Sequence, residues 1–73
     1  MAKNELSPRE KEIILLMCEE YTSKQIASKL NISVRTIDTH RKNILWKTDC
    51  LNLAGLVKYA IRNGWVKSYK FIE

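Results

Sequence analysis

Arg35, Thr39, Lys42 and Trp46 recur at intervals of three or four residues in the middle of a 73-residue chain. At about 100° per residue in a helix, that spacing lines them along one stripe, with Asp38 on its shoulder. The chemistry open to such a stripe is hydrogen bonding to the edges of stacked bases. Arg35 can take guanine O6 and N7, Thr39 can meet a thymine methyl or donate, and Lys42 can take a guanine or a phosphate. Asp38 is the odd member, because phosphates repel an anion carried into a groove. Two uses suit it: accepting from cytosine N4, or pairing with Arg35 or Lys42 at helical spacing. Either use penalises wrong sequences. Arg35, Asp38, Thr39 and Lys42 are the candidate base-contacting set. Taken in isolation, the segment is better explained as an ordinary solvated helix face.

The preceding residues tip the balance. Thr22, Ser23 and Lys24 place hydroxyls, open backbone N–H groups and a cation at a helix start, which is an anion site by construction. Lys29 and Lys47 extend the positive rim, and Thr36 joins them near the start of the next helix, so these six form the candidate phosphate-contacting set. The charge distribution agrees. Residues 1–22 carry a net −2, residues 23–48 hold six cations against Asp38 alone for a net +5, and residues 49–73 add +2. A polyanion is the natural partner of the middle segment.

Four helix starts position these groups. Ser7-Pro8-Arg9-Glu10 supplies a capping serine, a proline at the first helical position and a glutamate able to close a capping box. The first helix is expected to run to about Glu20, with Ile13, Leu16 and Met17 inward and Ile14, Leu15 and Cys18 widening that face. Thr22 and Gln25 repeat the box for a short helix ending near Leu30, with Ile26, Ala27 and Leu30 inward. Asn31 suits the left-handed turn that follows, Ile32 plugs the angle, and Ser33 caps a third helix to about Thr48. Ile37, Ile44 and Thr48 form its core side, flanked by Val34, His40 and Leu45. Asn52 caps a fourth helix over Leu53 to Asn63, ended by Gly64. Its stripe of Leu53, Leu56, Val57 and Ala60, broadened by Ala54 and Ile61, exceeds what a tiny core needs, so self-association competes evenly with internal packing. Trp65 plugs the core after the Gly64 turn. The fold expected is all-α: residues 1–5 as a flexible lead, 6–66 as one four-helix helix-turn-helix domain without a wing, and 67–73 as a tail.

Several function classes are excluded on the same residues. Cys18 and Cys50 lack the ligand partners for a zinc site and the density for a disulfide scaffold, so two free thiols in a reducing cytoplasm are expected. The apolar run from Ile13 to Cys18 is too short to span a bilayer. His40 stands toward the core, where a lone histidine is a packed residue rather than a ligand or acid. No nucleophile, base or carboxylate constellation is visible, and neither a cofactor, a metal nor a small-molecule ligand is expected.

With those residues in hand, the chain resembles the LuxR/FixJ (GerE-type) DNA-binding domain of bacterial response regulators and quorum sensors. The likeness runs through Leu6-Ser7-Pro8-Arg9-Glu10, Glu12-Ile13-Ile14, Ser23-Lys24-Gln25-Ile26-Ala27 and Leu30-Asn31-Ile32-Ser33. It continues with Thr36-Ile37, His40, Asn43-Ile44, Lys47, Leu56, Ala60 and Gly64. The resemblance implies the third helix in the major groove and the fourth in a symmetric dimer contact, placed here on Leu53, Val57 and Ile61. In that family the position of Asp38 is usually a base-contacting lysine, while Thr39 and Lys42 match other contact positions. Thr48-Asp49 replaces a usual Leu-Gly, implying a less tight turn, and Glu20 stands where glycine often ends the first helix, implying a more regular connection. Many members carry a receiver or ligand-binding domain ahead of this module.

The function expected is a sequence-specific, double-stranded-DNA-binding transcription regulator, homodimeric on inverted or direct half-sites about one helical turn, roughly 10 bp, apart. It would be cytoplasmic and nucleoid-associated, with RNA polymerase as a further potential partner. The competing readings are a helical interaction module whose basic face meets an acidic protein, and a promoter-reading sigma-factor-like domain.

Overall fold

Every helix start carries the cap its sequence calls for. In the computed structural model, which describes residues 5–66, α1 spans Pro8–Cys18, α2 Ser23–Leu30, α3 Val34–Thr48 and α4 Leu53–Arg62. Ser7 Oγ accepts from the Glu10 N–H at 3.1 Å while the Ser7 N–H donates to Glu10 Oε1 at 2.9 Å. Thr22 and Gln25 make the same reciprocal pair at 3.1 and 2.8 Å. Ser33 Oγ accepts from the Thr36 N–H at 3.1 Å, and Asn52 Oδ1 from the Gly55 N–H at 3.0 Å. Each cap satisfies a donor the helix itself leaves open, an effect of about 1 kcal/mol apiece.

The helix ends share one device. The N–H groups of Tyr21, Ile32, Cys50 and Trp65 each reach back five residues, to the carbonyls of Leu16, Ala27, Leu45 and Ala60 at 2.9–3.1 Å. The residue before each of them is left-handed: Glu20 (φ 69°), Asn31 (φ 61°), Asp49 (φ 59°) and Gly64 (φ 76°). This is the Schellman ending, in which the residue past the turn folds an apolar side chain back onto the helix. Tyr21, Ile32, Cys50 and Trp65 all do so, half-buried against the core.

Two expectations change here. The first helix stops at Cys18 rather than near Glu20, and Glu20 does not straighten the connection; it adopts the left-handed geometry a glycine would take. Asp49 likewise makes the turn before α4 tight rather than loose. In both cases the requirement comes from seating the next residue in the core, and it overrides the reluctance of a side-chain-bearing residue to take positive φ.

The core is Ile13, Ile14, Met17 and Cys18 of α1, Ile26 and Ala27 of α2, Ile37 and Ile44 of α3, and Leu56 and Ala60 of α4. α1 and α3 each pack against all three other helices, and α2 braces α3. Leu16, Leu30, Leu45 and Val57 line the edges of this cluster. Val34, expected to flank the core side of α3, is exposed at its first turn; Leu53 and Ala54, on the stripe for which internal packing and self-association compete evenly, are exposed at the first turn of α4. Trp65 stacks edge-to-face on Tyr59, ring centres 5.7 Å apart, with the Lys11 ammonium 4.7 Å over its ring. The expected tail, and all of the expected lead but Glu5, lie outside the described residues.

Candidate nucleic-acid interface

α3 divides cleanly into two sides. Ile37 and Ile44 are wholly buried, whereas Arg35, Asp38, Thr39 and Lys42 are all exposed on the outward side, and Trp46 is 60% exposed one turn further on. Helix periodicity alone produces this segregation, because the apolar pair seven residues apart fixes which side meets α1 and α2. Arg35 to Lys42 spans about 10 Å of axis, comparable with three base-pair steps. The Thr39 hydroxyl donates to the Arg35 carbonyl at 3.1 Å. Its proton is thereby committed to the helix, and what it can offer a partner is a lone pair and a methyl group.

The Asp38 side chain forms no ion pair or hydrogen bond with Arg35, Lys42 or any other described residue. Of the two uses open to it in the sequence, internal pairing is not the one adopted.

The turn before α3 contains three residues, the left-handed Asn31, half-buried Ile32 and capping Ser33. That is the length of a helix-turn-helix connection. At the start of α2, Thr22 Oγ1 is occupied by the Gln25 N–H, so the open donors are the backbone N–H groups of Ser23 and Lys24. Thr22 and Lys24 are exposed and Ser23 is half-buried. Thr36 is exposed, its hydroxyl 2.9 Å from Ser33 Oγ. Lys29, also exposed, carries its ammonium 5.8 Å over the Tyr21 ring.

Lys47, named in the expected phosphate-contacting set, has its ammonium engaged within the fold. Its Nζ donates to both carboxylate oxygens of Glu10, at 2.8 and 3.1 Å, bridging the end of α3 to the start of α1. The Glu10 side chain is 6% exposed and that of Lys47 24%. Burial alone would push the Glu10 carboxyl up, but the Lys47 hydrogen bond, the Ser7 backbone N–H and the ammonium charge outweigh it, holding the group below its usual value. Glu10 is thus both half of a capping box and the anchor of the candidate reading helix. The lean of Lys47 toward the buried side is readable in the sequence, since it follows Ile44 by three residues, but its partner Glu10 is not.

On α4, Val57 and Ile61 are half-buried and Leu53 is 40% exposed, one turn apart from each other in sequence. Beside them Leu51, in the preceding turn, is 93% exposed.

Together these features define a helix-turn-helix domain whose third helix carries a polar, cation-bearing outward side. Residues 4–60 match the model of the bacterial regulatory proteins, luxR family. The chain belongs to that family. It is 43% identical over 61 residues to an uncharacterized response regulatory protein, YgeK, of Escherichia coli, covering 84% of this chain and 42% of that one. It is 41% identical over 61 residues to the transcriptional regulatory protein MctR of Rhizobium johnstonii, covering 84% and 28%. Among solved structures it is similar to a chain in the complex of the two-component response regulator RcsB with DNA. There the TM-score is 0.72 and the identity 33%, over 88% of this chain and 30% of that one. The chain therefore spans between 28% and 42% of the length of these relatives.

Proposed function

We propose that this domain binds double-stranded DNA and regulates transcription, with α3 seated in the major groove. The observation that carries the reading is the joint outward exposure of Arg35, Asp38, Thr39 and Lys42 on a helix whose other side is sealed into the core. The membership of the luxR family and the likeness to a DNA-bound response regulator support it. Arg35, Thr39 and Lys42 meet base edges, while Thr22, the Ser23 and Lys24 N–H groups, the Lys24 ammonium, Lys29 and Thr36 hold phosphates and fix register. On this reading the domain is a non-enzymatic regulator that acts on nucleoid DNA in the cytoplasm.

We further propose a symmetric dimer through α4. Leu53, Val57 and Ile61 recur every four residues, and Leu51 adds exposed apolar surface at the same end of the helix. Two copies joined there would read half-sites about 10 bp apart. Selection of bound sequences from a random duplex pool tests both statements. The expected result is one recurring motif, present twice with fixed spacing. Recovery of unrelated sequences, with affinity set by salt alone, would contradict specific reading.

A further inference from the structure

The Asp38 carboxylate is exposed in the middle of the α3 stripe and stands between two cations, Arg35 three residues before it and Lys42 four residues after. The second spacing, acid ahead of base by four, is the favourable order for a helical ion pair. Neither pair forms. Thr39, the adjacent hydroxyl, donates to the Arg35 carbonyl and not to Asp38. The carboxylate therefore reaches any ligand of this face with its acceptor capacity unused.

An ionised carboxylate accepts hydrogen bonds and donates none. Every phosphate of a duplex repels it, as do the acceptors that guanine and thymine present in the major groove. Adenine offers a donor at N6 but sets the N7 acceptor beside it. Cytosine alone presents an amino group, N4, with no acceptor next to it on that edge. Its partner guanine presents O6 and N7, which match the guanidinium of Arg35 or the ammonium of Lys42. The axial offsets from Asp38, about 4.5 Å back to Arg35 and about 6 Å on to Lys42, correspond to one or two base-pair steps.

We infer that Asp38 is a specificity-determining residue that selects cytosine, reading a C·G pair with a guanine contacted by Arg35 or Lys42 within two base pairs. The inference rests on the reading of α3 as a groove-binding helix. Asp38 sacrifices affinity for discrimination: it weakens attachment to every duplex and is compensated only where N4 meets it.

The test is sequence selection from a random duplex pool with the full chain, run in parallel for the wild type, Asp38→Ala and Asp38→Asn. Both substitutions are at an exposed position, and circular dichroism checks that the helices persist. The wild type is expected to recover a cytosine at one position, close to a guanine. Asp38→Ala should lose that cytosine preference alone, by roughly 5- to 100-fold, and bind random DNA several-fold more tightly. Asp38→Asn should move the preference toward adenine, which an amide can meet at N6 and N7. If the wild type selects a motif and Asp38→Ala recovers the same motif at every position, the role of Asp38 is refuted while DNA reading stands. If the wild type selects no motif, both fall together.

Discussion

Replacing Lys47 with alanine isolates the Glu10–Lys47 bridge. Among the described residues, the ammonium supplies two of the three hydrogen bonds to the Glu10 carboxylate, the third coming from the Ser7 N–H. Breaking a fully buried pair on one side costs about 3–5 kcal/mol. Lys47 is about a quarter exposed, and water admitted through the vacated space lowers the figure to roughly 2–3 kcal/mol. A chain of this length has about 4–11 kcal/mol in total, so the loss is large. It corresponds to a fall of roughly 8–24 °C in Tm. Urea and thermal unfolding followed by far-ultraviolet circular dichroism at neutral pH would measure it. Lys47→Arg should restore most of the stability. The pH dependence gives a second check. Because the folded Glu10 carboxyl titrates below its usual 4.5, its stabilisation is complete above that value and is lost as pH falls through the lowered folded pKa. In Lys47→Ala burial is left less opposed, the folded pKa rises, and that acid-side loss should shrink or reverse. An unfolding free energy within about 0.5 kcal/mol of wild type, with an unchanged acid limb, would refute the bridge as a structural anchor.

Further outcomes follow from the same contacts. Lys24→Ala should weaken binding to all duplexes alike and lower the salt slope by about one unit, measured by titration at several salt concentrations. Lys47→Ala, assayed at a temperature where it is fully folded, should leave that slope unchanged, since its charge is already engaged by Glu10. Leu53→Glu should abolish cooperative binding to paired half-sites while sparing a single half-site, as read by sedimentation and gel shift; retained dimers would place the contact elsewhere. Glu20→Gly should raise stability by about 0.5–1 kcal/mol, because φ at 69° strains any residue bearing a Cβ; a lower Tm would contradict this.

Caps and periodicity made the four helices and most of the core legible before any coordinates. Ser7, Thr22, Ser33 and Asn52 each signal a start within the chain's own chemistry, and Ile13, Ile26, Ile37, Ile44 and Leu56 follow from spacing. Helix ends were only half legible. Gly64 and Asn31 advertise a left-handed turn; Glu20 and Asp49 do not, and take it because Tyr21 and Cys50 must reach the core. For the candidate interface, exposure of Arg35, Asp38, Thr39 and Lys42 was readable from the helical period. Whether Asp38 or Lys47 would be paired was not. Pairing across 37 residues depends on where α1 and α3 come together, which local spacing does not encode.

The anchoring of α3 has a practical corollary. Its scaffold is held by Ile37, Ile44, the Asn31–Ser33 turn and the Lys47 bridge, while no hydrogen bond or ion pair among the described residues ties the four outward side chains to any of these. Positions 35, 38, 39 and 42 behave as an interchangeable cartridge on a fixed mount. Libraries randomised there would keep the architecture intact, so new target preferences could be engineered without re-engineering foldability.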